Sequence, residues 1–209
     1  MAVKPATTDA QYTARLESLG SAWWKRAFDV QAPYRWNLRR LELGFTLDVG
    51  CGVGRNLTHL GGRGVGIDHN ATSIDRARAC GFDAYAPEEF ELTSFNRLGS
   101  FDSILLAHVV EHMTEEDAVA LLRKYEPLLK PGGRVVLITP QKRGFDSDPT
   151  HVQFMDFEAL RRIAGRCGLA TLKQYSFPFP LAVGRVFKYN EFVSISAKPP
   201  QVAESRSSP

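Results

Sequence analysis

Four side chains that can bind protons or metal ions follow two neighbouring predicted strands. His108, Glu111 and His112 come at the end of an apolar run, at the spacing i, i+3 and i+4. Residues at that spacing share one face wherever the chain is helical. His151 lies in the loop after the next predicted strand, which a parallel sheet would place beside the first. The sequence therefore predicts that three imidazoles and one carboxylate converge on one point.

Three roles are open for this cluster. As a metal site it would use His108, Glu111, His112 and His151, and as catalytic groups without a metal it would use the first three. In the third role the side chains simply pack in the fold. We expect a divalent cation, Mg²⁺ or Mn²⁺, although Mg²⁺ prefers oxygen ligands and imidazole nitrogens also suit Zn²⁺. Asp148, in the same loop as His151, is predicted to contact the substrate.

A second group of residues forms a glycine-rich turn after a predicted strand. Asp48 is followed by glycines at positions 50, 52 and 54, and Asp68 ends the next strand, where a carboxylate suits ribose hydroxyls. Dinucleotide binding would require the third glycine at position 55, which is an arginine, so the spacing disfavours an NAD-dependent dehydrogenase. An acidic residue before the turn suits a ligand with a positive charge, such as an α-amino group.

Short apolar runs alternate with helical patterns through most of the chain. This alternation predicts an α/β, Rossmann-like domain with a seven-stranded, mostly parallel sheet, helices on both faces and an antiparallel end. We expect a helical preface or lid at 1–43, this domain at 44–197 and a disordered tail at 198–209. Strands are predicted at 45–49, 64–67, 82–85, 101–107, 134–139, 169–177 and 185–195, and helices at 55–60, 73–80, 88–96, 115–129 and 157–167.

The runs LDVGCGVGRN, GIDHN, FDSILLAHVVEHM and LKPGGRVVLITP, in that order, resemble the class I S-adenosylmethionine-dependent methyltransferases. The resemblance implies S-adenosylmethionine as cofactor, with Gly50 and Gly52 along its methionine part, Asp48 ordering the turn and Asp68 on the ribose. The histidine cluster is also similar to the Glu-x-x-Glu-His metal motif of small-RNA 2′-O-methyltransferases and ubiquinone-type O-methyltransferases, with histidine in the first position. Further implied cofactor contacts are Arg35, His69, Pro87, Glu88, Ala107 and His108.

The expected reaction is O-methylation of a small hydroxylated acceptor, with the cation positioning and acidifying the hydroxyl. A sugar hydroxyl, such as that of a mannoside, is the first expectation, because the whole-chain pattern is similar to actinobacterial carbohydrate O-methyltransferases. A catechol or quinone precursor is the alternative acceptor, and a non-catalytic, cofactor-binding regulatory module is the alternative of another class. Trp23, Tyr34 and Trp36 are predicted to dock the acceptor.

Composition sets the remaining expectations. The 209 residues include three cysteines, an odd and sparse set that argues against a secreted disulfide scaffold. No apolar leader follows Met1 and no apolar run approaches the length of a membrane span, so we expect a cytoplasmic protein without a membrane partner. A net charge of +3 is too small to indicate nucleic acid as a partner. A homodimer is left open.

Overall fold

The computed structural model describes residues 31–199. These residues form a seven-stranded sheet in the order β3-β2-β1-β4-β5-β7-β6. Strands β1 to β5 are parallel, whereas β7 runs antiparallel to both of its neighbours, β5 and β6. The predicted α/β class and mostly parallel seven-stranded sheet are confirmed.

The secondary-structure elements alternate along the chain as a doubly wound sheet requires. The strands are β1 Thr46–Val49, β2 Gly64–Ile67, β3 Ala84–Tyr85, β4 Phe101–Ala107, β5 Leu129–Pro140, β6 Ala170–Phe177 and β7 Glu191–Ala197. The α-helices within the described residues are α1 Ala32–Arg40, α2 Arg55–His59, α3 Ala71–Ala79, α4 Pro87–Glu91, α5 Glu115–Tyr125, α6 Lys142–Phe145 and α7 Phe157–Arg166. Short 3-10 helices cover Val110–His112, Glu126–Leu128 and Leu181–Arg185.

Alternate side chains of the central strands are buried on opposite faces of the sheet, because successive residues of a strand point to opposite sides. On one face, Leu105 of β4 and Val136 of β5 pack with Leu38 of α1. On the other face, Leu106 of β4 belongs to the core cluster that includes Leu160 of α7. Both faces are therefore covered, which is the usual condition of a parallel sheet.

Several boundaries differ from the sequence prediction: the helix expected at 88–96 is Pro87–Glu91, the strand expected at 82–85 is Ala84–Tyr85, and three other differences have local reasons. Helix α5 ends at Tyr125 rather than at 129, because Pro127 lacks an N–H group for an α-helical bond and instead lies in a 3-10 turn. Strand β5 already begins at Leu129, and its pairing with β4 shifts between Phe101 and Ser103. Strand β7 begins only at Glu191, since the Asn190 side chain accepts a hydrogen bond from the Phe179 amide and closes the preceding loop.

The predicted domain limits are only partly visible. Helix α1 is the described part of the expected preface, and Trp23, a predicted substrate contact, lies outside the described residues. Most of the expected tail, residues 200–209, lies outside them as well. Over residues 31–199, no helix has both the length and the apolar character needed to cross a membrane.

Candidate active site

Most of the predicted cofactor and metal residues lie at or just after the carboxyl ends of β1 to β5, on both sides of β1. The chain order reverses at this point, because β1 is flanked by β2 on one side and by β4 on the other. In open α/β sheets the crevice at such a reversal is where ligands bind. The turn after β1 and the segment after β4 therefore face the same crevice.

The glycine-rich turn is tied to the end of β2 by its backbone. The amides of Gly50 and Cys51 both donate to the carbonyl of Ile67, at 2.7 and 3.0 Å. Gly50 and Gly52 have φ values of 78° and 53°, in the left-handed region that favours glycine. A Cβ at Gly50 would collide with Val109, whereas a Cβ at Gly52 would project into open space. The turn thus packs closely against the segment after β4 and leaves room for a ligand beside Gly52.

Asp48 lies beneath this turn and is completely buried. One carboxylate oxygen accepts a hydrogen bond from Asn56 at 3.2 Å, and Oδ2 has no partner among the described residues. Burial raises the pKa of Asp48 to about 7, the bond from Asn56 lowers it and the nearby Asp68 raises it further. Two carboxylates under one turn favour a ligand that carries positive charge, as the sequence predicts.

The charge state of Asp48 makes the cofactor-free protein less stable as the pH rises. Since its pKa in the folded protein is above the usual 3.8, its stabilising contribution is complete below that value and is lost as the pH rises through about 7. Asp48→Asn lacks this titration. We expect the difference between the free energies of unfolding of the variant and of wild type, measured by urea denaturation, to shift by about 3–4 kcal/mol in favour of the variant between pH 4 and pH 8. A difference that does not change with pH would contradict a buried, titrating Asp48.

Asp68 occupies the position predicted for a ribose ligand, and its carboxylate also organises the turn. Its Oδ2 accepts a hydrogen bond from the Gly52 amide and its Oδ1 accepts one from the Asn70 amide, both at 2.8 Å. Each carboxylate oxygen has two lone pairs, so both can still accept from ribose hydroxyls. The sequence reasoning did not foresee that Asp68 fixes the Gly52 backbone.

The other predicted cofactor residues, except Arg35, lie at or just after the ends of strands. His69 is exposed next to Asp68, and Ala107 is the last residue of β4. Pro87 and the exposed Glu88 begin α4 directly after β3, as expected for the side of an adenine ring. Arg35 is half-buried in α1. Their roles as cofactor contacts stay predictions.

The histidine cluster forms, with three of its four predicted members. Ligand atoms of Glu111, His112 and His151 all lie within 4.8 Å of one another. The carbonyl of Glu111 accepts hydrogen bonds from the amides of Val152 and Gln153, which join the turn after β4 to the loop carrying His151. Glu111 is completely buried, and its Oε2 has no hydrogen-bond partner within the described part of the chain.

Each histidine of this group uses Nδ1 for a contact with the protein. His112 Nδ1 lies 3.3 Å from the carbonyl of Thr150, and His151 Nδ1 lies 2.7 Å from the carbonyl of Phe145. A carbonyl accepts only, and the Thr150 hydroxyl, 3.2 Å from His112 Nδ1, donates to Asp148. Each Nδ1 is therefore placed to carry the hydrogen of a neutral imidazole, which leaves the lone pair on Nε2. Desolvation lowers the pKa of His112 from its usual value, and the neighbouring His151 adds to this effect against an opposing influence of Glu111.

His108 lies outside the group of Glu111, His112 and His151, so the prediction of four converging ligands needs correction. The i, i+3, i+4 argument required a helix from residue 108, but the 3-10 helix begins at Val110 and His108 has a φ of 60°. Its Nδ1 lies 3.2 Å from Glu111 Oε1, and its Nε2 lies 2.8 Å from Glu191 Oε1. The His108 side chain is 47% exposed. Desolvation lowers its pKa, but the contacts with Glu111 and Glu191 outweigh this effect and raise the pKa to about 10.

Because both ring nitrogens of His108 are directed at carboxylates, neither nitrogen is available to bind a metal or to accept a proton from a substrate. Glu191 was missed by the sequence reasoning. It is 83 residues from His108, and neither motif marks it.

Each described residue that was predicted to contact the acceptor makes a contact within the protein. Tyr34 donates from its hydroxyl to the Tyr189 carbonyl at 2.6 Å, so that hydroxyl is already engaged with the β6–β7 loop. Trp36 is 56% exposed and stacks on Phe177. Asp148 Oδ1 accepts hydrogen bonds from the amide and hydroxyl of Thr150, so it orders the loop that carries the site.

Part of the chain matches a known protein family and curated relatives. Residues 47–137 match the family described as a methyltransferase domain. A ubiquinone biosynthesis O-methyltransferase from Rhodopseudomonas palustris (strain HaA2) is 34% identical over 99 residues, 44% of this chain and 38% of the relative. This chain thus spans about two fifths of that relative's length.

Two solved structures share the fold over most of the chain. A SAM-dependent methyltransferase from Archaeoglobus fulgidus aligns with a TM-score of 0.67 at 21% identity, covering 91% of this chain and 100% of the other. The magnesium protoporphyrin IX methyltransferase from Synechocystis PCC 6803, solved with bound SAM, aligns with a TM-score of 0.62 at 14% identity, covering 92% and 93%. At these identities the likeness concerns the fold.

Proposed function

We propose that this protein, whose residues 47–137 match the family described as a methyltransferase domain, is a class I S-adenosylmethionine-dependent enzyme that transfers a methyl group to a hydroxyl oxygen of a small acceptor. The observation that carries the proposal is the cluster of Glu111, His112 and His151 in the crevice beside the glycine-rich turn. Close packing of Gly50 on Val109 joins the turn to the segment that bears the cluster. Cofactor and acceptor groups are thereby held side by side.

Methyl transfer from a sulfonium is an in-line displacement, so the acceptor oxygen must be aligned and lose its proton. The O–C bond forms as the C–S bond breaks, and S-adenosylhomocysteine leaves. His112 is suited to take the hydroxyl proton, because its Nδ1 is held by Thr150 and its Nε2 keeps a lone pair. Its lowered pKa favours the neutral, proton-accepting form at physiological pH.

As an alternative, the same three residues fit a divalent cation, and His112 is then a ligand rather than the base. Nε2 of His112, Nε2 of His151 and the unpartnered buried Oε2 of Glu111 would hold it, and both histidines have Nδ1 on a carbonyl, as metal-binding histidines usually do. Two nitrogens and one carboxylate suit Mn²⁺ or Zn²⁺ better than Mg²⁺. When bound, such a cation supplies Lewis-acid chemistry that acidifies a coordinated hydroxyl.

For the acceptor we propose a catechol-like quinone precursor. The named relative acts in ubiquinone biosynthesis, and the wall of the site is aromatic, since Phe145 stacks on His151 at 5.1 Å with an interplanar angle of 20°. A carbohydrate hydroxyl is the second candidate, because Thr150 and Asp148 give the rim polar groups. Either acceptor can offer two adjacent oxygens.

Labelled methyl transfer tests the proposed activity and its metal dependence together. Purified protein is incubated with S-adenosylmethionine, a panel of catechols, mannosides and other short sugars, and Mn²⁺, Mg²⁺ or EDTA. We expect transfer to a catechol that EDTA abolishes and Mn²⁺ restores better than Mg²⁺. Methyl transfer that survives EDTA would rule out a requirement for the cation and would leave His112 as the base.

Two further outcomes of the same experiment separate the alternatives. Transfer to mannosides alone would favour the carbohydrate acceptor. Bound S-adenosylmethionine without transfer to any acceptor would favour the non-catalytic regulatory module.

A further inference from the structure

We propose that Glu191 is a positioning residue for the acceptor site: through the ring of His108 it fixes the carboxylate of Glu111 so that one oxygen is left for the cation. The inference rests on the proposed function. It concerns a residue at the start of β7, on the far side of β5 from the segment that carries Glu111.

The three side chains form a continuous chain of hydrogen bonds. Glu191 Oε1 lies 2.8 Å from His108 Nε2, and His108 Nδ1 lies 3.2 Å from Glu111 Oε1. Because the two nitrogens are on opposite sides of one rigid ring, rotation of the imidazole away from Glu191 also moves its other nitrogen away from Glu111. The orientation of the ring is therefore set from both ends.

The two outer ends of this chain are themselves anchored. The Glu191 carbonyl accepts a hydrogen bond from Gln141 Nε2 at 3.0 Å, and the preceding Asn190 is buried and donates to Gln141 Oε1. At the other end the backbone of Glu111 is held by Val152 and Gln153. His108 is tied to β5 through its amide, which donates to the Ile138 carbonyl at 2.9 Å.

As a consequence, the two carboxylate oxygens of Glu111 have different partners. Oε1 is occupied by His108, while Oε2 is buried without a hydrogen-bond partner among the described residues. A buried carboxylate oxygen left in this way is costly unless a ligand meets it. Without Glu191, His108 would be free to turn, and Glu111 could rotate about its terminal torsion away from His112 and His151.

Binding of Mn²⁺ to the cofactor-free protein, measured by isothermal titration calorimetry, tests the positioning role without relying on turnover. We expect Glu191→Ala to weaken Mn²⁺ binding about 10- to 100-fold, the usual effect of removing a group that orients a metal ligand. Glu191→Gln keeps an oxygen that can accept from Nε2 and should recover most of the affinity. Glu158→Ala, on the exposed surface of α7, is the control for loss of a carboxylate.

A double-substitution cycle separates positioning from a merely structural role. If Glu191 acts through the ring, His108→Ala weakens Mn²⁺ binding as Glu191→Ala does, and the double variant is no weaker than either single variant. Glu191→Asp, shorter by one methylene, should lower the affinity as well and serves if the alanine variant does not fold.

Equal Mn²⁺ affinity in wild type and in the Ala and Asp variants would overturn the positioning role and leave the proposed function standing. Losses of Mn²⁺ affinity that add up in the double variant of Glu191 and His108 would also overturn the positioning role. Absence of Mn²⁺ binding by wild type would instead refute the metal site, and the positioning role with it.

Discussion

Glu111→Gln is expected to lower kcat for methyl transfer by about 100- to 10,000-fold while leaving the affinity for S-adenosylmethionine nearly unchanged. Glutamine has almost the same shape, and the carbonyl that binds Val152 and Gln153 belongs to the backbone, so the local fold should persist. The substitution removes the negative charge from a completely buried position beside His112 and His151. The substitution thus removes the carboxylate that would hold a cation or stabilise His112 after it has accepted the proton.

The measurement is steady-state kinetics with the acceptor found in the transfer assay, together with a direct titration of S-adenosylmethionine. Glu116→Gln is the matched control, because Glu116 lies at the start of α5 with its side chain 74% exposed. His112→Ala should resemble Glu111→Gln in both measurements. A parallel loss of cofactor affinity in these variants would show that the cluster supports the fold of the turn rather than the reaction.

The cofactor side of the crevice could be predicted from the sequence because it is built locally. Glycines at 50, 52 and 54 follow a buried strand directly, and the carboxylates of Asp48 and Asp68 stand within or just after strands of four residues. In such a unit the strand, turn and helix are consecutive, so spacing along the chain translates directly into positions in space. The helix start and the left-handed glycines followed from residue types alone.

The acceptor side could be predicted only in part, because its geometry depends on contacts between distant segments. The placement of β7 between β5 and β6 brings Glu191 opposite Pro140, and this register decides what His108 contacts. The order of these strands in the sheet and the register in which they pair leave no pattern in the local sequence. The conformation of His108 is equally non-local, since its amide is held by the Ile138 carbonyl of the neighbouring strand.

The second large effect is expected for Asp68→Ala, which should weaken S-adenosylmethionine binding by about 30-fold or more, equivalent to about 2 kcal/mol. Two contributions add here. The carboxylate can accept hydrogen bonds from the ribose hydroxyls, and it holds the Gly52 amide at 2.8 Å and the Asn70 amide at the same distance. Without it, the turn must be ordered by the cofactor at the expense of binding free energy. Asp75→Ala, on the exposed side of α3, is the control.

The two contributions can be separated with a cofactor analogue that lacks one ribose hydroxyl. If Asp68 accepts from that hydroxyl, wild type should lose affinity for the analogue, while Asp68→Ala should bind analogue and cofactor alike, since the partner is already gone. If the analogue weakens both proteins equally, Asp68 acts only by ordering Gly52 and the ribose contact lies elsewhere. Asp68→Asn, which retains one accepting oxygen and loses the charge, should fall between wild type and alanine in the first case. In that first case the Asp68 carboxylate serves the turn and the ligand at once, because the Gly52 amide and the ribose both lie within hydrogen-bond reach of the end of β2.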